Sequence, residues 1–337
     1  MTFQEIRPEE RTRLFEFYAA HLPAADRIRT LYTWRLSDAA SSGGIRTLVA
    51  MSGSAIVAAT SVVPLQVGLG GARLGAAWQQ DTVVAEGHRG SGIGRRLVEM
   101  SAEGYPLVTS KGTLPPMYAL KKRMGFIDVP RSNYLLRVLA PVAASGSVRK
   151  RLGLPLLYGI SKLRRVDHRR SPVPTRTVTH FDSDFDSLCA RITRGSEVSP
   201  VKDSGYLNWR YARCPVRSYW IIQADDPGGG VRGGAVVRPN PAPYTDAWLV
   251  DMIVEVDDRE TQHALLNACF RQLRRSRASC LRTFATSPRI RLLLKERGFM
   301  ETADSPRFTF RFASPNPEFQ ASAWNFWHGD ADTELLD

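Results

Sequence analysis

Arg89, Gly92 and Gly94 stand in the stretch VVAEGHRGSGIGRRLVEM (83–100), where a β-branched pair leads through glycines at 90, 92 and 94 into an arginine-rich run. Without Cβ atoms on those glycines, a bulky anion can approach the backbone amides closely. Ile93, Leu97 and Met100 recur at near-helical spacing while Arg95, Arg96 and Glu99 point elsewhere, so a helix begins at the last glycines. Its free N–H groups and positive dipole end face the turn, a geometry that suits a pyrophosphate. The spacing Arg89-x-x-Gly92-x-Gly94 is neither the dinucleotide fingerprint nor the P-loop. A turn that merely joins strand to helix would also use glycine, and the surroundings weigh against that plainer reading.

Further on comes GTLPPMYALKKRMGFIDV (112–129), helix-like up to Met124-Gly125-Phe126 and β-like after it. With these two motifs, residues 45 to 136 resemble the GNAT superfamily of acyl-CoA-dependent N-acyltransferases. The resemblance implies direct attack of an amine on a thioester, with acetyl-CoA or another acyl-CoA as co-substrate and no metal. It implies that the amides of Arg89, Gly90, Ser91, Gly92, Ile93, Gly94 and Arg95 hold the pyrophosphate. It also implies that a backbone amide near Val83 or Val84 polarises the thioester carbonyl. His88 within the loop is expected to pack or to lie beside phosphate. Such chemistry needs a base for the ammonium and an acid for the leaving thiolate. The family often supplies the acid from a tyrosine four residues before the Gly-Phe pair, a position held here by Lys121. Tyr118, one turn earlier on an adjacent part of the face, is the candidate acid. For the base, Asp81 beside Gln80 leads into the loop, and Ser110 and Lys111 close the strand PLVTS; a water chain is the alternative. The catalytic candidates are thus Tyr118, Asp81 and Ser110.

The elements that must position these residues occur twice. TLYTWRL around Trp34 reads like GYLNWRY around Trp209, each followed by apolar runs broken at glycine- or proline-rich turns. GTLPPMYALKKRMGF then matches ATSPRIRLLLKERGF without a gap, and the spans Trp34 to Phe126 and Trp209 to Phe299 are nearly equal. We read a tandem duplication of one α/β (α+β) fold, each copy a mixed, mostly antiparallel twisted sheet flanked by helices. Trp34-Arg35 and Trp209-Arg210 are expected to pack rather than catalyse, since they recur in both copies. The second copy replaces the glycine loop by IVEVDDRETQHALLNACF, whose Asp257, Asp258 and Glu260 would repel a pyrophosphate. That copy is expected to bind no CoA. Asp81 has a counterpart in Asp251, which favours a structural carboxylate.

The expected division is an N-terminal domain with the acyl-CoA loop (1–137), a basic linker (138–175), a degenerate C-terminal domain (176–315) and an acidic tail (316–337). A length of 337 residues allows two cores. The net charge of +13 is concentrated between Arg137 and Arg176, where ten Lys and Arg face one acid, Asp167. The linker is read with a basic amphipathic helix around Leu152 to Arg165, which would either pack its leucines or touch an anionic membrane surface or an acidic carrier protein. No specific nucleic-acid partner is indicated. After Arg311 the chain has acids but no Lys or Arg, and such a tail either folds back on basic surface or, more commonly, stays solvated. The four cysteines, Cys189, Cys214, Cys269 and Cys280, lack metal spacing and read as reduced thiols. MTFQEIRPEE is no signal peptide and no run spans a bilayer, so a cytoplasmic protein is expected. The functional expectation is acetyl-CoA-dependent N-acylation of a small-molecule amine, an amino sugar or amino-acid derivative. The alternatives are a long-chain N-acyl synthase drawing on an acyl carrier protein, and a non-catalytic basic scaffold for membrane or nucleic acid.

Overall fold

A computed structural model describes residues 1–22, 25–37, 44–130, 132–139, 172–240, 246–331 and 335. The apolar runs of the first half become strands β1 (Thr2–Glu5), β2 (Arg46–Ser52), β3 (Ala55–Leu69), β4 (Ala72–Val84), β5 (Leu107–Ser110) and β6 (Ile127–Asp128). The β2–β3 and β3–β4 hairpins turn at Gly53 and at Gly70-Gly71, whose φ of 59°, 58° and 88° lie in the left-handed region that glycine enters without strain. The chain continues through β7 (Leu135–Val138), β8 (Thr175–Val178), β9 (Glu197–Pro200), β10 (Trp220–Asp225), β11 (Val231–Pro239) and β12 (Asp246–Val254). It closes with β13 (Cys280–Thr283), β14 (Met300–Glu301), β15 (Thr309–Phe312) and β16 (Ala323–Trp324).

Among the described residues these strands build two sheets of one design. The first runs β1-β2-β3-β4-β5-β15-β6 and the second β8-β10-β11-β12-β13-β7-β14. In each, the fourth and fifth strands are parallel and the other neighbours along the path antiparallel. The mixed, mostly antiparallel α/β class expected from the repeat is the observed one. The sixth strand is exchanged: β7 follows the first half but pairs with β13 and β14, while β15 pairs with β5 and β6. Divisions at 137 and at 315 therefore do not separate the sheets. The repeat pattern conceals this, because each strand takes the place its own counterpart would fill.

The longer helices are α1 (Arg11–His21), α2 (Ala25–Ser37), α3 (Ile93–Ala102), α4 (Pro115–Arg123), α5 (Asp184–Thr193), α6 (Arg259–Arg275) and α7 (Pro288–Glu296). Ile93 and Leu97 of α3 pack with Leu48 and Ala58 of the first sheet; Leu265, Leu266 and Cys269 of α6 pack with Leu249 and Leu281 of the second. Trp34 and Trp209, the repeated tryptophans, stack at 4.7 Å between ring centroids and 16° between planes, so the two copies meet through their equivalent residues. The segment after 315 is not a solvated tail. Trp324, Phe326 and Trp327 are buried, β16 pairs with β9, and Asp330 lies 2.7 Å from Lys202 Nζ. Three large aromatic side chains bury more apolar area than its few acids keep in water. All four cysteines are free. Among the described residues no helix is long and apolar enough to cross a membrane. The linker helix read around Leu152 to Arg165 lies outside the described residues.

Candidate active site

Strands β4 and β5 part company at one point. Their parallel pairing runs Ala76 to Leu107, Ala77 to Val108 and Trp78 to Thr109; β5 then ends at Ser110 while β4 continues to Val84. Among the described residues the edge of β4 from Gln79 to Val84 that would face β5 thus has no strand partner, and a wedge opens between the two. On its other side β4 stays paired with β3, with a bulge: Ser61 faces Gln80 and Ala59 faces Val83, so Thr60 alone opposes Asp81 and Thr82. Asp81 has φ 50°, unusual for a non-glycine residue. Its carboxylate is held by Arg35 Nη1 at 2.9 Å and by the Tyr32 hydroxyl, all three groups on or beside the buried face of α2. A carboxylate so tied fixes the bulge and is not a free base. Its counterpart Asp251 is tied likewise, by Lys202 Nζ at 2.8 Å and the Tyr211 hydroxyl at 2.8 Å.

The glycine loop follows. Glu86–His88 form one 3-10 turn, Gly90 has φ 80°, and Gly92, at φ 83°, caps α3 with no side chain. Arg96 N is the first amide to bond back, to Gly92 O at 3.1 Å, which leaves the amides of Ile93, Gly94 and Arg95 without helical acceptors. A Cβ placed on Gly90 or Gly92 would meet nothing within 4 Å, so the space before these amides is open. At Gly94 a Cβ would make ordinary contacts, at 3.5 Å, with Val84 and Met117, where helix, strand and α4 meet. Arg89 turns back, Nε donating to Val84 O at 3.2 Å, and Ser91 Oγ donates to His88 O at 2.6 Å. The loop is thereby stiffened by its own side chains and by His88; the Arg89 amide, expected to face the pyrophosphate, instead donates to Glu86 O at 3.2 Å, and the amides of Ile93, Gly94 and Arg95 are left bare.

The second half fills the same place with its own carboxylate. Asp258 caps α6, accepting from Thr261 N at 3.1 Å and Thr261 Oγ1 at 2.7 Å, and Arg232 Nη2 holds it at 3.0 Å. An internal anion sits where an external one would bind.

Tyr118, the candidate acid, donates to Asp128 on β6 at 2.9 Å, and Lys122 Nζ joins the same carboxylate at 3.0 Å. This bond, its largest influence, raises the tyrosine above its ordinary range. β6 lies beyond β15, on the side of β5 away from the wedge. The gapless alignment puts Arg291 at Tyr118, Glu301 at Asp128 and Lys295 at Lys122, and Arg291 and Lys295 both pair with Glu301. The Tyr118 to Asp128 bond is therefore a tie between helix and strand repeated in both halves, and the hydroxyl is turned away from the wedge.

Lys121, the residue at the family's tyrosine position, is buried with 2 % exposure, and its Nζ donates to Ser110 Oγ at 2.5 Å. Ser110 ends β5 at the mouth of the wedge, and its Oγ is also 3.2 Å from Thr113 Oγ1. Desolvation pushes the Lys121 amine down to about 7. The second half has Leu294 and Thr283 in these places, so this buried amine is peculiar to the half with the open loop. Sequence reading ranked it behind Tyr118; the signal lay in its replacement by leucine in the copy. Lys111 is engaged elsewhere, with Nζ 2.8 Å from His328 Nδ1. Arg35 and Arg210 are both buried in packing roles, the latter donating to Gly329 O and Ala331 O at 3.0 Å.

No family model matches the chain, and no curated protein matches it in sequence. Solved structures do match its fold. A GCN5-related N-acetyltransferase from Anabaena variabilis aligns at TM-score 0.64 and 12% identity over 93% of this chain and 73% of its own. A protein of unknown function from Enterococcus faecalis, described as a probable N-acyltransferase, aligns at 0.63 and 12% over 92% and 72%. Saccharomyces cerevisiae N-myristoyltransferase with bound myristoyl-CoA aligns at 0.58 and 11% over 96% and 89%. The chain has the GNAT fold, and its two mixed sheets form two GNAT-like halves.

Proposed function

We propose that the chain is an acyl-CoA-dependent N-acyltransferase acting on the amine of a small molecule, with its chemistry confined to the first half. The observation that carries this reading is the conjunction, in that half alone, of a bare-amide loop, a bulged β4 beside an open wedge, and a buried amine at the wedge mouth. The second half has the wedge topology but fills its loop with Asp258 and replaces Lys121 by Leu294.

A CoA thioester would supply the acyl group and a good leaving thiolate. The residues fit such a donor. Gly90 and Gly92 leave room for a diphosphate that any Cβ would narrow, and the amides of Ile93, Gly94 and Arg95 point a helix dipole at it. The unpaired edge of β4 offers main-chain groups to a carbonyl oxygen, as electrostatic stabilisation requires. Lys121, with a proton affinity matched to neutral pH, holds the proton a thiolate needs and can pass it through Ser110 Oγ. We take the donor to be acetyl-CoA.

Acetyl-CoA should raise the thermal midpoint by mass action, and Gly92→Asp should abolish the rise by setting a charge against the phosphates. An undiminished rise in Gly92→Asp would show that the loop is not the site.

A further inference from the structure

The cavity between the halves is walled by donors. Trp78, the last residue of β4 paired to β5, and Gln80, beyond that pairing, form its end at the wedge; the stacked Trp34 and Trp209 form another wall, with Arg35 and Arg210 beside them. Gln80 Nε2, Trp34 Nε1 and Trp209 Nε1 are buried and donate to no atom among the described residues. The three residues are 7 %, 8 % and 5 % exposed. An indole N–H can only donate, and a buried donor without an acceptor is costly. Three such donors around one cavity call for oxygen atoms within it, from water or from a ligand that displaces water. The one acid on the wall, Asp330, is already engaged by Lys202 Nζ at 2.7 Å and Trp327 N at 2.7 Å.

We propose that this cavity is the acceptor subsite and that it receives the carboxylate of an amino acid or amino-acid derivative, whose amine is thereby held at the wedge. The inference rests on the N-acyltransferase reading and narrows its acceptor. At about 40 Å³ the cavity has room for a carboxylate with its α-carbon. Val63, Leu65 and Phe326 add apolar wall, which suits a short hydrocarbon body, and Tyr206 also lines the cavity. The cavity lies on the Trp78 face of the first sheet, while Lys121 and the loop helix α3 lie on the Ala77 face. Donor and acceptor thus reach the wedge from opposite faces.

The test uses the full chain, acetyl-CoA, and small amino acids from glycine to leucine, each with its carboxamide. Free acids should be acetylated with KM about tenfold or more below that of their carboxamides, as expected for hydrogen bonds to a charged group. Gln80→Leu and Trp209→Phe, each of which removes one donor and keeps the bulk, should raise KM for the acids about tenfold and erase their advantage. Both should keep the thermal shift with acetyl-CoA, which also reports that they fold. Tryptophan fluorescence titrated with the same acids reads the subsite without turnover. Acids that change the emission of the wild-type chain and not of Trp209→Phe support the subsite even if acylation fails. Carboxamides that serve as well as acids, variants that leave the preference intact, or acids that neither react nor change emission while acetyl-CoA binds, would each overturn it. Failure of acetyl-CoA to bind would count against the enzymatic reading instead.

Discussion

Replacing Lys121 by Met removes a charge from the interior, and the structure sets the size and the pH window of the effect. The side chain is 2 % exposed, its one hydrogen bond is to Ser110, and the nearest aromatic ring is Phe126, whose other visitor is the cation Arg311. No carboxylate offsets the burial, so its amine falls from the ordinary 10.5 to about 7. Between those values the unfolded chain binds a proton that the folded chain does not. Wild-type stability therefore rises with pH through this window, by about 1.4 kcal/mol per pH unit for one proton. Below pH 7 the full penalty is present, on the order of 5 kcal/mol as an upper figure. Lys121→Met should thus stabilise the chain by a few kcal/mol at pH 6, and the gain should fade towards pH 10. Loss of the Ser110 bond takes back about 1 kcal/mol throughout. Urea unfolding of both proteins from pH 6 to pH 10 measures the difference, in which every other titrating group cancels. A difference that stays flat across that range would refute the buried, neutralised amine. The same variant should lose about 10²-fold or more in turnover, so that stability and activity move in opposite directions.

The other expectations follow from bonds already described. Tyr118→Phe should leave turnover within about threefold, because its hydroxyl serves Asp128; a loss on the order of 10²-fold would return it to the proton-donor role. Asp81→Asn should cost about 3–5 kcal/mol in denaturant unfolding by leaving Arg35 buried without its anion; a stable but inactive variant would instead mark Asp81 as a base. Asp258→Ala should cost about 1 kcal/mol for the lost cap, while calorimetry still finds one acetyl-CoA per chain with unchanged affinity. A second bound molecule would show that the C-terminal half retains a working loop.

The open loop was legible because glycine recurs at 90, 92 and 94 between a β-branched pair and an amphipathic run, and the gapless match of two helix segments exposed the duplication. Local spacing carries such features in full. What it could not carry was direction. Tyr118 and Lys121 are three residues apart on one helix, and only the position of Asp128 across two strands decides which of them turns inward. The tail's few acids are conspicuous in sequence and leave folding back or solvation open, while the burial of Trp324, Phe326 and Trp327 that decides between them depends on a groove made by both halves. The donor-lined cavity is likewise assembled from Trp34, Gln80 and Trp209, residues that no motif links.

The exchange of β7 and β15 gives the chain a history as well as a shape. During synthesis the first half emerges with its wedge strand β5 lacking its outer neighbour, since the strand that completes it, Thr309–Phe312, is made after every strand of the second sheet. Until then the outer edge of β5 is an open edge, competent to pair with whatever strand is near. Pairing partners so far apart in sequence close slowly, and the first sheet is complete only when the two interlock. A ribosome paused before Arg311 would therefore hold a chain that already carries its complete glycine loop and yet lacks the outer neighbour of β5, and the exchange ties the unfolding of each half to that of the other.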